Sequence, residues 1–306
     1  MAVLGFDTSN YTTSVAYFDG VDGVNCSQLL PVKAGALGLR QSDAVFHHTK
    51  SLPELSGRLF SHLGGARIEG IGVSTRPRAV EGSYMPCFLV GYSHAKLLSD
   101  CLGVPLFTCS HQQGHIAAAL WSAGAMELME EPHLAWHLSG GTTELLLVEP
   151  EGRNVRCQRI GGTTDISAGQ LIDRTGQRLG LPFPAGKALD ALSRESSCAD
   201  FCQVKCHSME FSLSGMENKI AQYADVHSAA DTAAYALRTI GRVVRQATQN
   251  AQKDFPGLRV VFSGGVASNS MLRRMLSSPE SVFAQPQFST DNAMGVAILA
   301  RRLLEG

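Results

Sequence analysis

The sequence predicts an α/β protein with two lobes and a duplicated architecture. Its 306 residues are 44% hydrophobic and 17% charged, which allows two lobes that each bury a core. Apolar strand patterns alternate with helical patterns through the first half of the chain, as in the α/β class. Two hairpin patterns of the same design, at residues 2–19 and 133–149, suggest that one architecture occurs twice.

The predicted boundary between the lobes lies near residue 131. We expect an N-terminal α/β lobe at residues 1–131, a C-terminal α/β lobe at residues 132–290, and a last helix at residues 291–306 that returns to the N-terminal lobe. Periodicity and turn residues predict the other elements, which are helices within 52–63, 87–103, 161–180, 230–253 and 270–276, and strands at 68–74, 104–108 and 258–262.

Glycine-rich and hydroxyl-rich turns follow three of the predicted strands. The first hairpin turns at residues 8–12, where hydroxyls and backbone N–H groups can bind phosphate, although polar turns also close ordinary hairpins. In the second hairpin, Gly140 and Gly141 leave backbone amides uncovered, so an anion can approach closely. Gly264 and Gly265 stand between a buried strand and a helix start, which favours a phosphate or its sugar at that helix terminus.

A pair of histidines follows the predicted strand at 104–108. His111 and His115 are four residues apart, so on a helix their imidazoles project from one face and can share a metal ion. The end of a strand is also where α/β folds usually bind ligands. The alternative is that both are surface or core imidazoles without a ligand, because a bare His-x-x-x-His spacing also occurs by chance.

Two acidic residues have structural alternatives. Asp173 lies inside the helix predicted within 161–180, where it is either a solvated acid or a side chain that faces the cleft. Near the C-terminus, Thr290 or Asp291 is the predicted N-cap of the last helix. A capping role would account for Asp291 without any ligand.

The overall charge excludes a general nucleic-acid binder. The chain has 26 basic and 27 acidic residues, for a net charge of −1, so any contact with nucleic acid must be local or supplied by a partner. A local basic stripe, formed by Arg238, Arg242 and Arg245, follows one face of the predicted helix at 230–253. Such stripes are most often solvent-facing, and RNA or a protein partner is the less common explanation.

The sequence indicates a cytoplasmic protein with reduced thiols. No run approaches the roughly 18 apolar residues of a membrane span, and an apolar strand pattern begins within two residues of Met1, which leaves no room for a secretion signal. The eight cysteines are then expected to be free. Cys198, Cys202 and Cys206 have the spacing of one helix face, but residues 204–213 predict an irregular strand entrance, which argues against a metal cluster.

Seven short motifs occur in a fixed order along the chain. They are Gly5-Phe6-Asp7-Thr8-Ser9, His111-Gln112-Gln113-Gly114-His115, Ser139-Gly140-Gly141-Thr142-Thr143, Asp173 with Pro184-Ala185-Gly186, Phe211-Ser212-Leu213-Ser214-Gly215, Gly264-Gly265-Val266-Ala267-Ser268-Asn269, and Thr290-Asp291-Asn292-Ala293. Together they resemble the universal tRNA threonylcarbamoyladenosine synthase family, once described as sialoglycoprotein endopeptidases. The resemblance spans almost the whole chain and implies the duplicated actin-like/sugar-kinase ATPase fold, with a cleft between its lobes.

The resemblance also implies a metal site and a nucleotide site. His111, His115 and Asp291 would hold one divalent ion, either iron or zinc. The residues that would bind ATP or threonylcarbamoyl-adenylate are Ser139, Gly140, Gly141, Thr142, Thr143, Asp173, Gly186, Asp190, Gly264, Gly265 and Asn269. The implied partners are tRNA and a protein of the same fold, without association to a membrane.

Three departures from the family pattern make this chain resemble a diverged paralogue. Tyr11 and Thr12 stand where the family usually carries an acidic pair that is thought to serve the transfer step. Gln113 replaces the usual Glu between the histidines, and residues 75–79, with Arg76 and Arg78, replace a Pro-Gly-Pro-Gly segment. Because tyrosine titrates near pH 10 and threonine does not titrate, we expect slow or absent transfer, and no catalytic side chain is assigned.

Two classes of function remain. The leading hypothesis is a metal-dependent transferase that moves the threonylcarbamoyl group from threonylcarbamoyl-adenylate to adenine of tRNA, with the ion polarising the carbamoyl carbonyl. The rival hypothesis is a non-catalytic nucleotide-binding subunit that keeps the fold for regulation or partner binding. The older protease description fails on chemistry, because the His-x-x-x-His pattern here lacks the Glu that serves zinc proteases as general base.

Overall fold

The computed structural model describes residues 1–31 and 39–306, which form two compact units. Unit 1 contains Met1–Glu131, Glu149–Cys157 and Asp291–Gly306, and unit 2 contains Pro132–Val148 and Gln158–Thr290. The lobe expected at residues 132–290 thus includes a short segment, Glu149–Cys157, that clusters with unit 1. Each unit has its own sheet and its own helices.

The regular elements below are those of the described residues. The strands are β1 (Ala2–Thr8), β2 (Thr12–Phe18), β3 (Gly23–Leu29), β4 (Ile68–Arg76), β5 (Leu106–Ser110), β6 (His133–Leu138), β7 (Thr143–Glu151), β8 (Asn154–Thr163), β9 (Cys206–His207), β10 (Glu210–Phe211), β11 (Val260–Ser263) and β12 (Ser281–Phe283). The α-helices are α1 (Gln41–His62), α2 (Phe88–Leu102), α3 (His111–Ser122), α4 (Ala168–Arg178), α5 (Gly186–Ser193), α6 (Ser214–Ala224), α7 (Ala229–Asp254), α8 (Ser270–Leu276) and α9 (Met294–Leu304).

Unit 1 is built on a five-stranded sheet of order β3-β2-β1-β4-β5. The first hairpin is formed as predicted, since β1 pairs antiparallel with β2, while β4 pairs parallel with β1 and with β5. The carboxyl ends of β1, β4 and β5 therefore meet at one edge of the sheet, and α3 begins directly after β5. This edge carries the histidine pair.

Helix α1 begins 11 residues before the helix predicted at 52–63, because its buried face extends toward the N-terminus beyond the buried leucines. Leu52, Leu55 and Leu59 are buried and gave the apolar periodicity. Ala44 and His48 continue the same face toward the N-terminus, but one is small and the other polar, so neither adds to that signal. Amphipathic periodicity locates only the strongly apolar part of a helix.

Helix α9 lies directly against the sheet of unit 1, where glycines make room for it. A Cβ atom at Gly5 of β1 would stand 2.5 Å from the Ala293 carbonyl oxygen, and one at Gly295 would overlap the Gly114 carbonyl of α3. No side chain fits at such separations, so these positions need glycine. The close packing fixes the start of α9 beside α3.

The predicted N-cap of the last helix is wrong. The side chain that caps α9 is that of Asn292, and not that of Thr290 or Asp291. Its Oδ1 accepts hydrogen bonds from the Met294 N–H at 3.1 Å and from the Gly295 N–H at 3.4 Å. An amide oxygen two or three residues before these donors has the right reach for a cap. The Asp291 carboxylate is therefore available for other contacts.

Unit 2 is built around a sheet of order β12-β11-β6-β7-β8-β10-β9. The second predicted hairpin is formed by β6 and β7, while β11 pairs parallel with β6 and β12. Residues 161–163, predicted within a helix, end strand β8, and α4 starts later at a Ser167–Gln170 capping box. The core includes Trp136, Leu237 and Phe262, all at most 1% exposed.

Two further properties concern the whole described chain. Among residues 1–31 and 39–306, no helix has the length and apolarity to cross a membrane. All eight cysteines are free thiols, and Cys206 lies in the short strand β9 and not on a helix.

Candidate metal centre and nucleotide site

The two histidines and one distant acid meet in unit 1. Helix α3 begins at His111 because Ser110 caps it, and the i, i+4 spacing turns both rings to one side. The His115 Nε2 atom lies 2.9 Å from His111 Nε2. Asp291, just before α9, places its Oδ1 3.2 Å from His115 Nε2 and 3.5 Å from His111 Nε2. These are the three residues that the resemblance implied as ligands.

The geometry of this cluster fits a divalent metal ion. A tetrahedral ion with bonds of about 2.1 Å separates its ligand atoms by about 3.4 Å, and the three separations here run from 2.9 to 3.5 Å. Two imidazoles and one carboxylate suit zinc or ferrous iron. Three protein ligands also leave a coordination position for water or substrate, as in catalytic metal sites.

Asp7 contacts the ring nitrogen of His111 that faces away from His115 and Asp291. Its Oδ2 lies 2.7 Å from His111 Nδ1, and its Oδ1 accepts a hydrogen bond from Ser74 Oγ at 2.5 Å. Because a carboxylate only accepts, Nδ1 carries a proton and donates it to Asp7, so Nε2 is the atom that would bind a metal ion after losing its own proton. Asp7 is 1% exposed at the end of β1. Asp7 belongs to the Gly5-Phe6-Asp7-Thr8-Ser9 motif but was not among the predicted site residues, although an acid near the end of a buried apolar strand is a usable signal.

The charges of the cluster depend on one another. Burial opposes charge on His111, but the carboxylates of Asp7 and Asp291 outweigh it and hold the pKa of this imidazole well above its ordinary value. Burial would raise the pKa of Asp291, yet hydrogen bonds from His111 and His115 hold it well below the ordinary value. The site thus has the electrostatics to keep a cation, and a metal ion entering it would displace a proton.

A turn at residues 139–143 links β6 and β7 in unit 2. The Ser167 hydroxyl donates to the Gly140 carbonyl at 2.6 Å, and the Ala168 N–H donates to Thr143 Oγ1 at 2.8 Å, so the start of α4 holds the turn. A Cβ atom added to Gly140 or to Gly141 would meet no atom within 4 Å. The glycines face open space, whereas the Thr143 hydroxyl is engaged by the backbone.

A second turn lies at the same edge of this sheet, because β6 and β11 are parallel neighbours. Gly264 has φ +94°, and a Cβ there would overlap the Leu138 carbonyl, so only glycine fits. Gly265 meets nothing within 4 Å. Asn269 caps α8 through Oδ1, at 3.0 Å from the Met271 nitrogen. Its Nδ2 is buried and has no hydrogen-bond partner among the described residues.

The remaining predicted residues lie on α4 and α5. Asp190 Oδ1 accepts from the Ser270 N–H and hydroxyl, at 3.2 and 2.9 Å, which ties α5 to the start of α8 beside Asn269. Asp173 Oδ1 accepts from the Ala185 N–H at 2.8 Å, and burial raises its pKa. Gly186 opens α5 with free space in front of it. Asp173 therefore organises the backbone before Gly186.

Comparison with known proteins identifies the family. A family model described as TsaD, tRNA N6-adenosine threonylcarbamoyltransferase, matches residues 37–298. The chain belongs to this family. The resemblance drawn from seven short motifs is thereby confirmed.

Individual family members align with most of the chain. A tRNA N6-adenosine threonylcarbamoyltransferase from Streptococcus suis is 32% identical over 240 residues, which cover 72% of this chain and 69% of the relative. The protein of the same name from Thermosipho africanus is 31% identical over 324 residues, covering 99% of this chain and 94% of the relative.

Solved structures show the same fold at low sequence identity. Full-length HypF in its phosphate- and nucleotide-bound form aligns with a TM-score of 0.64 at 15% identity, and the match covers all of this chain and 47% of HypF. The ROK hexokinase from Thermus thermophilus aligns with a TM-score of 0.55 at 16% identity, covering 100% of this chain and 99% of the hexokinase. The predicted α/β fold of the actin-like/sugar-kinase class is confirmed.

Gln113, which stands where the family usually has Glu, has a structural role. Its Oε1 accepts from the Ser110 N–H at 2.8 Å in the cap of α3, and its Nε2 donates to the Val155 carbonyl at 2.7 Å. The side chain is 5% exposed. Both ends of the amide are occupied by the fold, so Gln113 does not face the histidines as a base.

The other departures differ in their exposure. Tyr11 is 43% exposed in the first hairpin turn, whereas Thr12 is 5% exposed at the start of β2. Arg76 and Arg78 are both exposed at and beyond the end of β4. The loop between them contacts the start of α3, since the Gln112 N–H donates to the Pro77 carbonyl at 3.0 Å. The two arginines therefore stand beside the helix that carries His111.

Proposed function

We propose that this chain carries out metal-dependent transfer of a threonylcarbamoyl group from threonylcarbamoyl-adenylate to an adenine of tRNA. The single observation that carries the proposal is the cluster of His111, His115 and Asp291, whose ligand atoms lie within 4.8 Å of one another in a member of the TsaD family. Asp7 orients the first of these ligands. Preassembled donors with an oriented imidazole are what a catalytic metal site requires.

The reaction forms one bond and breaks another. The adenine amino group attacks the carbamoyl carbon, a new C–N bond forms, the bond from that carbon to the AMP phosphate oxygen breaks, and the amino group loses a proton. A divalent ion in the cluster would polarise the carbamoyl carbonyl and so stabilise negative charge in the transition state. His111, His115 and Asp291 would hold it, and Asp7 would keep His111 in the required tautomer.

The turns of unit 2 support the adenylate as the donor substrate. A Cβ atom on Gly140, Gly141 or Gly265 would meet nothing within 4 Å, so there is room for an anion to approach the backbone at these positions. The Asn269 side chain is 7% exposed, and its buried Nδ2 lacks an acceptor in the described chain. An unsatisfied buried donor costs about 1–3 kcal/mol, and a nucleotide oxygen or ring nitrogen would satisfy it.

The experiment is single-turnover transfer with purified protein, threonylcarbamoyl-adenylate and tRNA, together with metal analysis of tag-free protein. In the His111→Ala/His115→Ala variant, we expect both bound metal and transfer to be lost. His62→Ala, at the exposed end of α1, is the matched control and should change neither. Near-stoichiometric metal in the double variant would place the ion elsewhere and refute this site.

One observation favours a second candidate function, a non-catalytic nucleotide-binding subunit that acts through a partner of the same fold. Tyr11 and Thr12 replace the acidic pair of the family, and neither ionises near pH 7. A missing acid–base group usually lowers the rate by about two to four powers of ten. The Arg76 and Arg78 loop adds positive charge that suits an anion or a tRNA phosphate.

Restoring the acids distinguishes the two functions. Tyr11→Asp is tolerated by the fold because Tyr11 is exposed, whereas Thr12→Glu introduces an acid at a buried position, so the single Tyr11→Asp variant is measured beside the double variant. Transfer only after restoration supports the non-catalytic function. Wild-type transfer at the rate of a family member with the acidic pair, unchanged by restoration, supports the enzyme and makes the departure irrelevant.

A further inference from the structure

Helix α7 borders a cavity that none of the predicted site residues lines. The cavity lies between α7 and the irregular segment at residues 199–204, and its volume is about 720 Å³. This volume is in the range of about 300–1,000 Å³ that small-molecule sites occupy. Its polar side chains are three arginines and three glutamines, namely Arg238, Arg242, Arg245, Gln203, Gln246 and Gln249.

The charge of the cavity is uniformly positive. None of the described residues that line it is an Asp or a Glu. Arg238, Arg242 and Arg245 follow one face of α7 at positions i, i+4 and i+7, and none of them forms an ion pair within residues 1–31 and 39–306. Asp231 feels the charge of Arg238 only through space. Three guanidinium groups that form no ion pair with a described residue, placed around one concave space, create a field that attracts anions.

Arginines elsewhere on unit 2 show the contrast. Arg174 pairs with Glu217 at 2.5 Å, and Arg178 pairs with Asp225 at 2.6 Å. These exposed side chains use carboxylates of neighbouring elements as counter-ions. The cavity arginines form no ion pair of this kind with any residue that the structure describes.

Two of the arginines are already positioned. The Arg242 guanidinium stacks 3.6 Å above the centre of the Phe201 ring, which fixes its plane and leaves its edge N–H groups for a ligand. Arg238 Nη1 is buried and has no hydrogen-bond partner among the described residues. Because a guanidinium never deprotonates in proteins, its donors need an acceptor. An anion in the cavity would supply one to this side chain.

We propose that this cavity binds a small molecule with two or more phosphate groups. The planar fork of arginine matches phosphate oxygens in pairs. From Arg238 to Arg245, α7 rises about 10 Å, so the three arginines provide binding groups for more than one phosphate. The glutamine amides provide hydrogen bonds for uncharged parts of the ligand. The cavity is concave and Arg238 is partly buried in its wall, which favours a small anion over an RNA backbone lying on the surface.

The test is calorimetric titration of the full chain at constant ionic strength with inorganic pyrophosphate, and in a second arm with oligouridylate RNA. We expect pyrophosphate to bind and Arg242→Gln/Arg245→Gln to lose about tenfold in affinity for each arginine removed. Both residues are exposed, so the fold tolerates the change. The control Lys253→Gln/Arg274→Gln removes two exposed charges of α7 and α8 that do not line the cavity, and it should retain wild-type affinity.

A third variant separates this cavity from the proposed nucleotide site. Gly265→Val should leave pyrophosphate binding at the cavity unchanged, because Gly265 does not line it. The proposal is overturned if wild-type protein does not bind pyrophosphate, if the arginine variant binds like the wild type, or if the control loses as much affinity. Binding of oligouridylate without binding of pyrophosphate also overturns it, since that result indicates a surface for RNA. None of these results bears on threonylcarbamoyl transfer.

Discussion

Replacing Asp7 with asparagine tests whether the Asp7 carboxylate orients His111 for binding a metal ion. Asp7→Asn keeps the shape of the side chain but removes the negative charge that lies 2.7 Å from His111 Nδ1. Hydrogen bonds to a charged group contribute about 1.5–3 kcal/mol, against about 1 kcal/mol for neutral pairs. The neutral amide also weakens the preference for the tautomer that points the Nε2 lone pair at the ion.

The expected result is a weaker site with an intact fold. Loss of a carboxylate behind a ligating histidine typically lowers metal affinity about 10–100-fold, equal to about 1.4–2.8 kcal/mol. Zinc affinity of the tag-free protein, measured by competition with a chromophoric chelator, reports this directly. Ser74→Ala is the graded control, because it removes the 2.5 Å hydrogen bond to Asp7 Oδ1 but keeps the charge. Its effect should be the smaller one.

One outcome would exclude this role of Asp7. If Asp7→Asn protein unfolds at the wild-type temperature and still binds zinc with wild-type affinity, then Asp7 does not orient a metal ligand. In that case the Asp7–His111 contact is only a buried hydrogen bond of unit 1.

Gln113, His48 and the glycine turn at the start of α8 can each be tested by substitution. Gln113→Glu should lower the free energy of unfolding by about 1–3 kcal/mol in urea, because a carboxylate cannot donate to the Val155 carbonyl; an unchanged value would contradict the structural role. Burial lowers the pKa of His48 below its ordinary value of 6.5. The neutral, buried imidazole therefore contributes to the free energy of unfolding above pH 6.5, and this contribution is lost as the pH falls through the folded-state pKa. His48→Gln should therefore flatten the acid side of the curve of melting temperature against pH, and a parallel curve would refute this. Asn269→Asp should keep the cap of α8 but lower the affinity for ATP measured by calorimetry. Gly265→Val should lower the same affinity, although the unliganded protein has room for its side chain. If both variants bind ATP with wild-type affinity, the proposed nucleotide site is excluded.

Local signals in the sequence determined most elements and one pair of site residues. Strand alternation and polar turns predicted both hairpins, and the spacing of His111 and His115 alone implied that their rings share a face of α3. These inferences succeed because hairpin pairing and helical periodicity involve residues close together in the chain. The motif order added the third candidate ligand, Asp291, only through family resemblance.

Other elements depended on contacts that no local pattern records. The polar first half of α1 is helical because Ala44 and His48 pack on unit 1, and α9 is capped by Asn292, one residue beyond the predicted candidates. Several side chains offered a plausible cap in that segment. Packing selected among them, since caps compete within a few tenths of a kcal/mol to about 1 kcal/mol.

The long-range contacts of the candidate metal site were decided by tertiary structure alone. Asp7 reaches His111 across 104 residues, and Asp291 reaches His115 across 176. Gln113 bonds to Val155 across 42 residues, which turns an apparent catalytic substitution into a structural one. Sequence patterns cannot show such pairs, because a side chain's partner at long range is fixed by how the sheet and helices pack. In unit 1 the deciding contact is the approach of α9 to α3, where Gly295 and Gly114 allow the two backbones to touch.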